Sequence, residues 1–138
     1  MLRFDFSQIN YLAVLVASVA AFIVGFIYYM PGVMGNLWIK ALGKDPHEFT
    51  NNPMLSMLLS FLLTIITAIA LDLIFISMGT QTIADGLVIS AVIGVFIVAA
   101  NMLSDYIFSN VRFTAFLIQG TYRLIVMLVL AAVLMMWR

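Results

Sequence analysis

The 138-residue chain has no cysteine, a single histidine and very little charge. Without cysteine, disulfides, thiolate nucleophiles, Cys-bound zinc, iron–sulfur clusters and Cys-attached haem are all excluded. One histidine, His47, rules out a multi-His metal site within one chain, leaving only a ring of copies in an oligomer. Glycine is sparse and makes no phosphate loop. Gly32 and Gly35 are not followed by Lys-Ser/Thr, and no G-x-G-x-x-G occurs. Six Lys+Arg balance six Asp+Glu, so the net charge of zero lacks the basic footprint of a nucleic-acid binder. What is abundant is apolar surface. Hydrophobic residues make up 65% and charged residues 9%, against about 45–50% and about 25% in a soluble domain. Mean hydropathy is +1.19. So few charges cannot cover a water-facing surface. The chain reads as an integral membrane protein of one domain, all-α, with the lipid bilayer as its first partner.

A spanning helix needs about 20 mostly apolar residues. Four runs qualify, over residues 11–30, 54–78, 83–108 and 113–137. They are continuously apolar and do not alternate with a period of two, which selects helices over a β-barrel. The expected fold is a four-helix membrane bundle. Pro31-Gly32 ends the first span. Asn52-Pro53 supplies an N-cap and first helical residue for the second. Thr82 and Asp85 form a capping pair for the third. Ser109-Asn110 makes the short turn before the fourth. Ser18-Val19-Ala20 faintly resembles a signal-peptide cleavage site, but residues 1–10 are weakly charged and include Asp5, so the first span is read as retained.

The longest connection, residues 32–52, begins with an apolar–polar mixture that suits a short interfacial helix. Within it, Asp45, Pro46, His47 and Glu48 read as a helix start; a metal site there would have too few ligands. Four spans place both termini on one side. That side carries Arg3 and Arg138, the other Lys40, Lys44 and Arg112, a near tie that leaves orientation open. Ala13, Ala17, Ala21 and Gly25 form a small-residue stripe, and Ser90-x-x-x-Gly94 a second. Such stripes let helices approach, either inside one bundle or between subunits of a homo-oligomer.

Polar residues inside apolar spans carry the functional signal, because Asp or Arg at a helix centre costs about 2.5–3.5 kcal/mol. Six stand out: Asp72, Asn101, Asp105, Gln119, Tyr122 and Arg123. At about 1.5 Å rise per residue, Arg123 lies about 15 Å inside its helix, near mid-membrane, and Gln119 and Asn101 share a depth. Asn101/Asp105 and Gln119/Arg123 are i,i+4 pairs on helices joined by a short turn. The expectation is one cluster of these four residues, with Asp72 approaching from above as a candidate for proton coupling. Such a cluster serves either as interhelical glue or as a site for a small ligand, lipid or ion. The sequence shows no catalytic motif and calls for no metal or cofactor. Asp105 with Tyr106 or Tyr122 is the one thin acid–base pairing.

Asn10-Tyr11-Leu12-Ala13-Val14, Gly25-Phe26-Ile27-Tyr28-Tyr29-Met30-Pro31 and Gly35-Asn36-Leu37-Trp38 form a pattern. It resembles a family of small bacterial membrane proteins known only as domain of unknown function 1761. Tyr29, Pro31, Gly35 and Trp38 match the family's aromatic-Tyr-x-Pro helix end and the Gly and Trp that follow. Gly120-Thr121-Tyr122 matches more loosely. Tyr28 stands where the family often has Trp, and Arg123 after Tyr122 is a further departure. The resemblance implies a bacterial cytoplasmic-membrane protein and no activity. In physical terms Tyr28, Tyr29 and Trp38 read as an interfacial aromatic group, able to anchor the loop or wall a ligand. Four functions remain open. A binding bundle predicts Arg123 facing a water-accessible cavity. A transporter or channel subunit predicts a polar path from Asp72 to Asp105. A lipid-modifying enzyme needs an acid–base pair in a pocket. A structural or partner-binding protein satisfies every polar group internally.

Overall fold

The computed structural model describes residues 3–43 and 52–137. The helix start expected around Asp45, Pro46, His47 and Glu48 lies outside the described residues, as do Lys44 and Arg138. A 3₁₀ turn (Phe6–Gln8) leads into α1 (Tyr11–Tyr28). A π-helical turn (Pro31–Gly35) runs directly into α2 (Asn36–Leu42). Then come α3 (Pro53–Met78), α4 (Ile83–Phe108) and α5 (Phe113–Met136). α1, α3, α4 and α5 are each long and apolar enough to cross a membrane. Among the described residues there is no strand. The protein is an all-α, multi-pass membrane bundle.

The local signals act as their chemistry dictates. The Asn10 side chain accepts from the Ala13 N–H at 3.1 Å and starts α1. Asn52 Oδ1 accepts from the Leu55 N–H at 3.1 Å, with Pro53 at the first helical position. Thr82 Oγ1 accepts from the Asp85 N–H, as an N-cap does, and donates to the Asp85 carboxylate, which holds the capping hydroxyl in place. α3 ends at Gly79, whose φ of 65° is left-handed, and the Thr80 N–H reaches back to the Phe75 carbonyl. α1 stops at Tyr28, slightly short of the expected 30. Pro31 closes no span by itself; it opens the turn that becomes α2.

Ahead of α1, the Asp5 carboxylate accepts from the Ser7 hydroxyl and N–H and from the Gln8 side chain. Hydrogen bonds from the Ser7 side chain, then its backbone, then Gln8 hold its pKa below the ordinary Asp value. A depressed native pKa stabilises the turn above the unfolded pKa and ceases to do so as pH falls through the native one. The Phe6–Gln8 turn is therefore expected to loosen on acidification below the ordinary Asp range. Side-chain carboxyl NMR of Asp5 should titrate below a model Asp, and an unshifted titration would contradict the cap.

Packing is uneven along the bundle axis. Ala13, Ala17 and Ala21 of α1, Ala68 of α3 and Ala131 of α5 are all buried. They bring these helices close, and Leu71, Phe75, Leu130 and Leu134 fill the space between them. The small-residue stripe of α1 is thus used within the bundle. Ser90 and Gly94 of α4 are also buried, in the helix that packs along α5. This tight half contains the C-terminal half of α3. The other half is looser. Every residue from 52 to 60 is exposed, whereas residues 71–73 and 75 are buried. At this end the facing side chains are large: Phe22, Phe26, Tyr28, Tyr29, Trp38 and Tyr122. Small alanines pack one end closely, and aromatic rings line the other.

Candidate functional site

At the aromatic end a cavity of about 510 Å³ lies between α1, α2, α3 and α5. Its apolar wall includes Phe22, Phe26, Ile39, Met57 and Leu63. Its polar groups are Tyr29, Trp38, Gln119, Tyr122, Arg123 and the hydroxyls Ser56, Ser60 and Thr64. Among the described residues no Asp or Glu lines it.

Each polar group is placed by the helix that carries it. Gln119 and Arg123 are one turn apart on α5 and share a face. Tyr29, at the C-terminal cap of α1, reaches across and donates its hydroxyl to Gln119 Oε1. Tyr28 donates to the Ile118 carbonyl at 2.7 Å, tying the same end of α1 to α5. The rings form a connected group: Tyr29–Tyr122 centroids are 4.9 Å apart, Tyr28–Tyr29 5.1 Å and Tyr29–Trp38 5.9 Å, all edge-on. Such pairs contribute about 0.5–1.5 kcal/mol each beyond area burial. The guanidinium of Arg123 lies 5.7 Å from the Tyr122 ring centroid.

Two glycines are required by space. A Cβ at Gly25 would sit 2.7 Å from the Tyr122 hydroxyl. A Cβ at Gly35 would sit 2.4 Å from the Tyr29 carbonyl oxygen, and backbone cannot yield as a side chain can. Gly35→Ala is expected to destabilise the protein by about 1–3 kcal/mol. It should also displace α2 from α5, read as a shift in Trp38 fluorescence; wild-type stability and emission would contradict the contact.

The six polar residues singled out in the sequence separate into two groups. Gln119, Tyr122 and Arg123 line the cavity. Asn101 and Asp105 do not; both are exposed. Asn101 Nδ2 donates to the Ile97 carbonyl of its own helix at 2.7 Å. The expected four-residue cluster is therefore not assembled as a unit. The reason lies in α4, which is π-helical over Ile93–Ala99. An i→i+5 stretch inserts a residue into the α period and rotates everything after it by about 100°. The face bearing Asn101 and Asp105 is thereby turned relative to an unbroken α-helix. Asp72 is buried at 3% exposure among Leu71, Leu73 and Phe75, in the core and away from the cavity lining. Of the acid–base pairing, Tyr122 lines the cavity and Asp105 does not.

The partners that Gln119 and Arg123 meet are the aromatic residues. Tyr29 and Trp38, read above as an interfacial group, line the same cavity, and Tyr28 packs against Tyr122 with centroids 5.6 Å apart. α2 lies on α5 through Ala41, Ala115 and Ile118, which brings Trp38 to the site. The hydroxyl row Ser56, Ser60 and Thr64 was missed. Its signal was present as four-residue spacing of hydroxyls within an apolar span. A second, smaller groove of about 180 Å³ runs beside the π-helical segment and holds no charged residue.

No curated protein and no solved structure matches the chain. The family model described as "Protein of unknown function (DUF1761)" matches residues 12–135. Three of the four residues that carried the resemblance, Tyr29, Gly35 and Trp38, line the cavity. The match runs through all four spans, and the chain belongs to the DUF1761 family.

Proposed function

We propose that this membrane protein binds a small amphiphilic molecule in the cavity between α1, α2, α3 and α5, in a bacterial cytoplasmic membrane. The observation that carries the reading is one cavity combining a long apolar wall with convergent polar groups, Arg123 among them, near mid-span. Its volume of about 510 Å³ lies within the ~300–1,000 Å³ of small-molecule pockets. It far exceeds one ion with a few waters, each water occupying about 30 Å³. A group of aromatic rings held edge-on supports a preformed site, since rings with few rotamers lose little entropy on binding.

The test is native mass spectrometry of the detergent-purified chain beside Ser60→Phe. Ser60 is exposed and lines the cavity, so a ring there fills the space without entering the helix core. The parent is expected to retain a small molecule that Ser60→Phe loses, and the same spectra give the subunit number. A species retained equally by both proteins would place the binding elsewhere.

A further inference from the structure

Resting on that binding reading, we propose that the occupant is an amphiphilic oxyanion, a carboxylate or phosphate monoester on an apolar chain. Its head lies at Arg123 and Gln119 and its tail along Phe22, Phe26, Met57 and Leu63.

The sign of the charge comes from the lining. Arg123 is the one charged residue among the described residues that line the cavity. A cation near mid-span is costly unless an anion or water meets it. Among the described residues the wall supplies no carboxylate to do so. A cationic ligand would add repulsion to that cost, so the missing charge is negative.

The hydrogen-bonding character points the same way. The Tyr29 hydroxyl donates to Gln119 Oε1, which occupies the amide's acceptor and leaves its NH₂ group to donate. Guanidinium has donors and no acceptor, and its planar fork matches two oxygens of one carboxylate or phosphate. Arg123 and the Gln119 amide thus offer a donor-rich patch on one helix face. An acceptor-rich head fits it; an ammonium or a bare metal cation does not.

The tail follows from the rest of the cavity. Beyond the polar patch the lining turns to Phe22, Phe26, Met57 and Leu63. Phe26 and Leu63 are also exposed, so the apolar wall is continuous with the surface that faces lipid. An apolar chain can enter laterally from the bilayer while its head stays at Arg123.

Trp38 lines the cavity and Trp137 is the other tryptophan, so the full chain in a Trp137→Phe background reports on the site alone. In phosphatidylcholine nanodiscs it is titrated with an ω-bromo fatty acid, the matching ω-bromo alkyl phosphate and the matching ω-bromo alcohol. Quenching is corrected for partitioning into protein-free discs. The acid or the phosphate is expected to bind at least about tenfold more tightly than the alcohol, as a charge-assisted bidentate contact allows. The tighter of the two identifies the head. Arg123→Met should abolish that preference and Arg123→Lys retain part of it. If Arg123→Met does not fold, Gln119→Leu must still narrow the preference. Equal binding of acid, phosphate and alcohol would overturn the oxyanion and leave an amphiphile site. Displacement by inorganic phosphate as effective as by the alkyl phosphate would overturn the tail. Quenching no stronger than in Ser60→Phe for every chain would overturn the binding reading itself.

Discussion

Replacing Phe75 with alanine is expected to destabilise the bundle by about 3 kcal/mol, the largest loss from any single core truncation. Phe75 is fully buried in the C-terminal half of α3, within the core built by Leu71, Leu130 and Leu134. Its ring tip lies 3.7 Å from where a Cβ on Gly86 would stand, so it also packs against the start of α4. Phe→Ala in a soluble core costs about 3–5 kcal/mol, part of it transfer from water and part the cavity left behind. In a bilayer the separated helices are solvated by lipid, which weakens the transfer contribution and leaves mainly lost dispersion contacts. The low end of the range follows. Phe96, 74% exposed on α4, is the control: its truncation should change stability by less than about 0.5 kcal/mol. Unfolding in mixed micelles of rising SDS fraction measures both. Similar losses at the two positions would mean that the buried half is not the stabilising core.

Arg123→Met is expected to have the opposite sign, stabilising the ligand-free bundle by about 1–3 kcal/mol. Insertion of Arg at a helix centre costs about 2.5–3.5 kcal/mol, from which a cation–π contact of about 0.5–1 kcal/mol is recovered here. Met keeps the stem and removes the charge. If Arg123 were structural glue, the same change would destabilise the protein. Asp105 supplies the second half of the experiment. It is exposed and does not line the cavity, so adding Asp105→Asn should leave the Arg123→Met value unchanged within about 0.5 kcal/mol. A strong interaction between the two substitutions would instead restore the cluster expected from spacing alone. Stability rising while anion preference disappears is the signature of a group kept for binding at the expense of the fold.

Much of the architecture was legible in the residues because each signal acts locally. Asn52-Pro53, Thr82 with Asp85 and Asn10 begin helices through bonds that span three residues. The alanine spacing of α1 places small side chains on one face whatever that face meets. The site was legible in part. Gln119 and Arg123 share a helix face by spacing, and Tyr29 and Trp38 were singled out as aromatic anchors. That these belong to one cavity was not legible. Their meeting depends on how α1 packs on α5 and on the return of α2 onto α5, which rest on contacts between residues far apart in sequence, such as Tyr28 with Ile118, 90 residues on.

The π-helical stretch shows the same division inside one span. Its apolar residues, Ile93–Ala99, announce a membrane helix and nothing about its hydrogen-bond register. The register observed leaves Asn101 and Asp105 exposed and off the cavity lining, and Asn101 donates to the Ile97 carbonyl. By itself the sequence determined the solvent, the four spans, the starts of the second and third and the presence of a costly mid-span cation. Composition, periodicity and capping are local and additive. Tertiary structure alone decided what that cation faces, because a helix face acquires a partner only when helix packing and register are known, and both arise from contacts across the whole bundle.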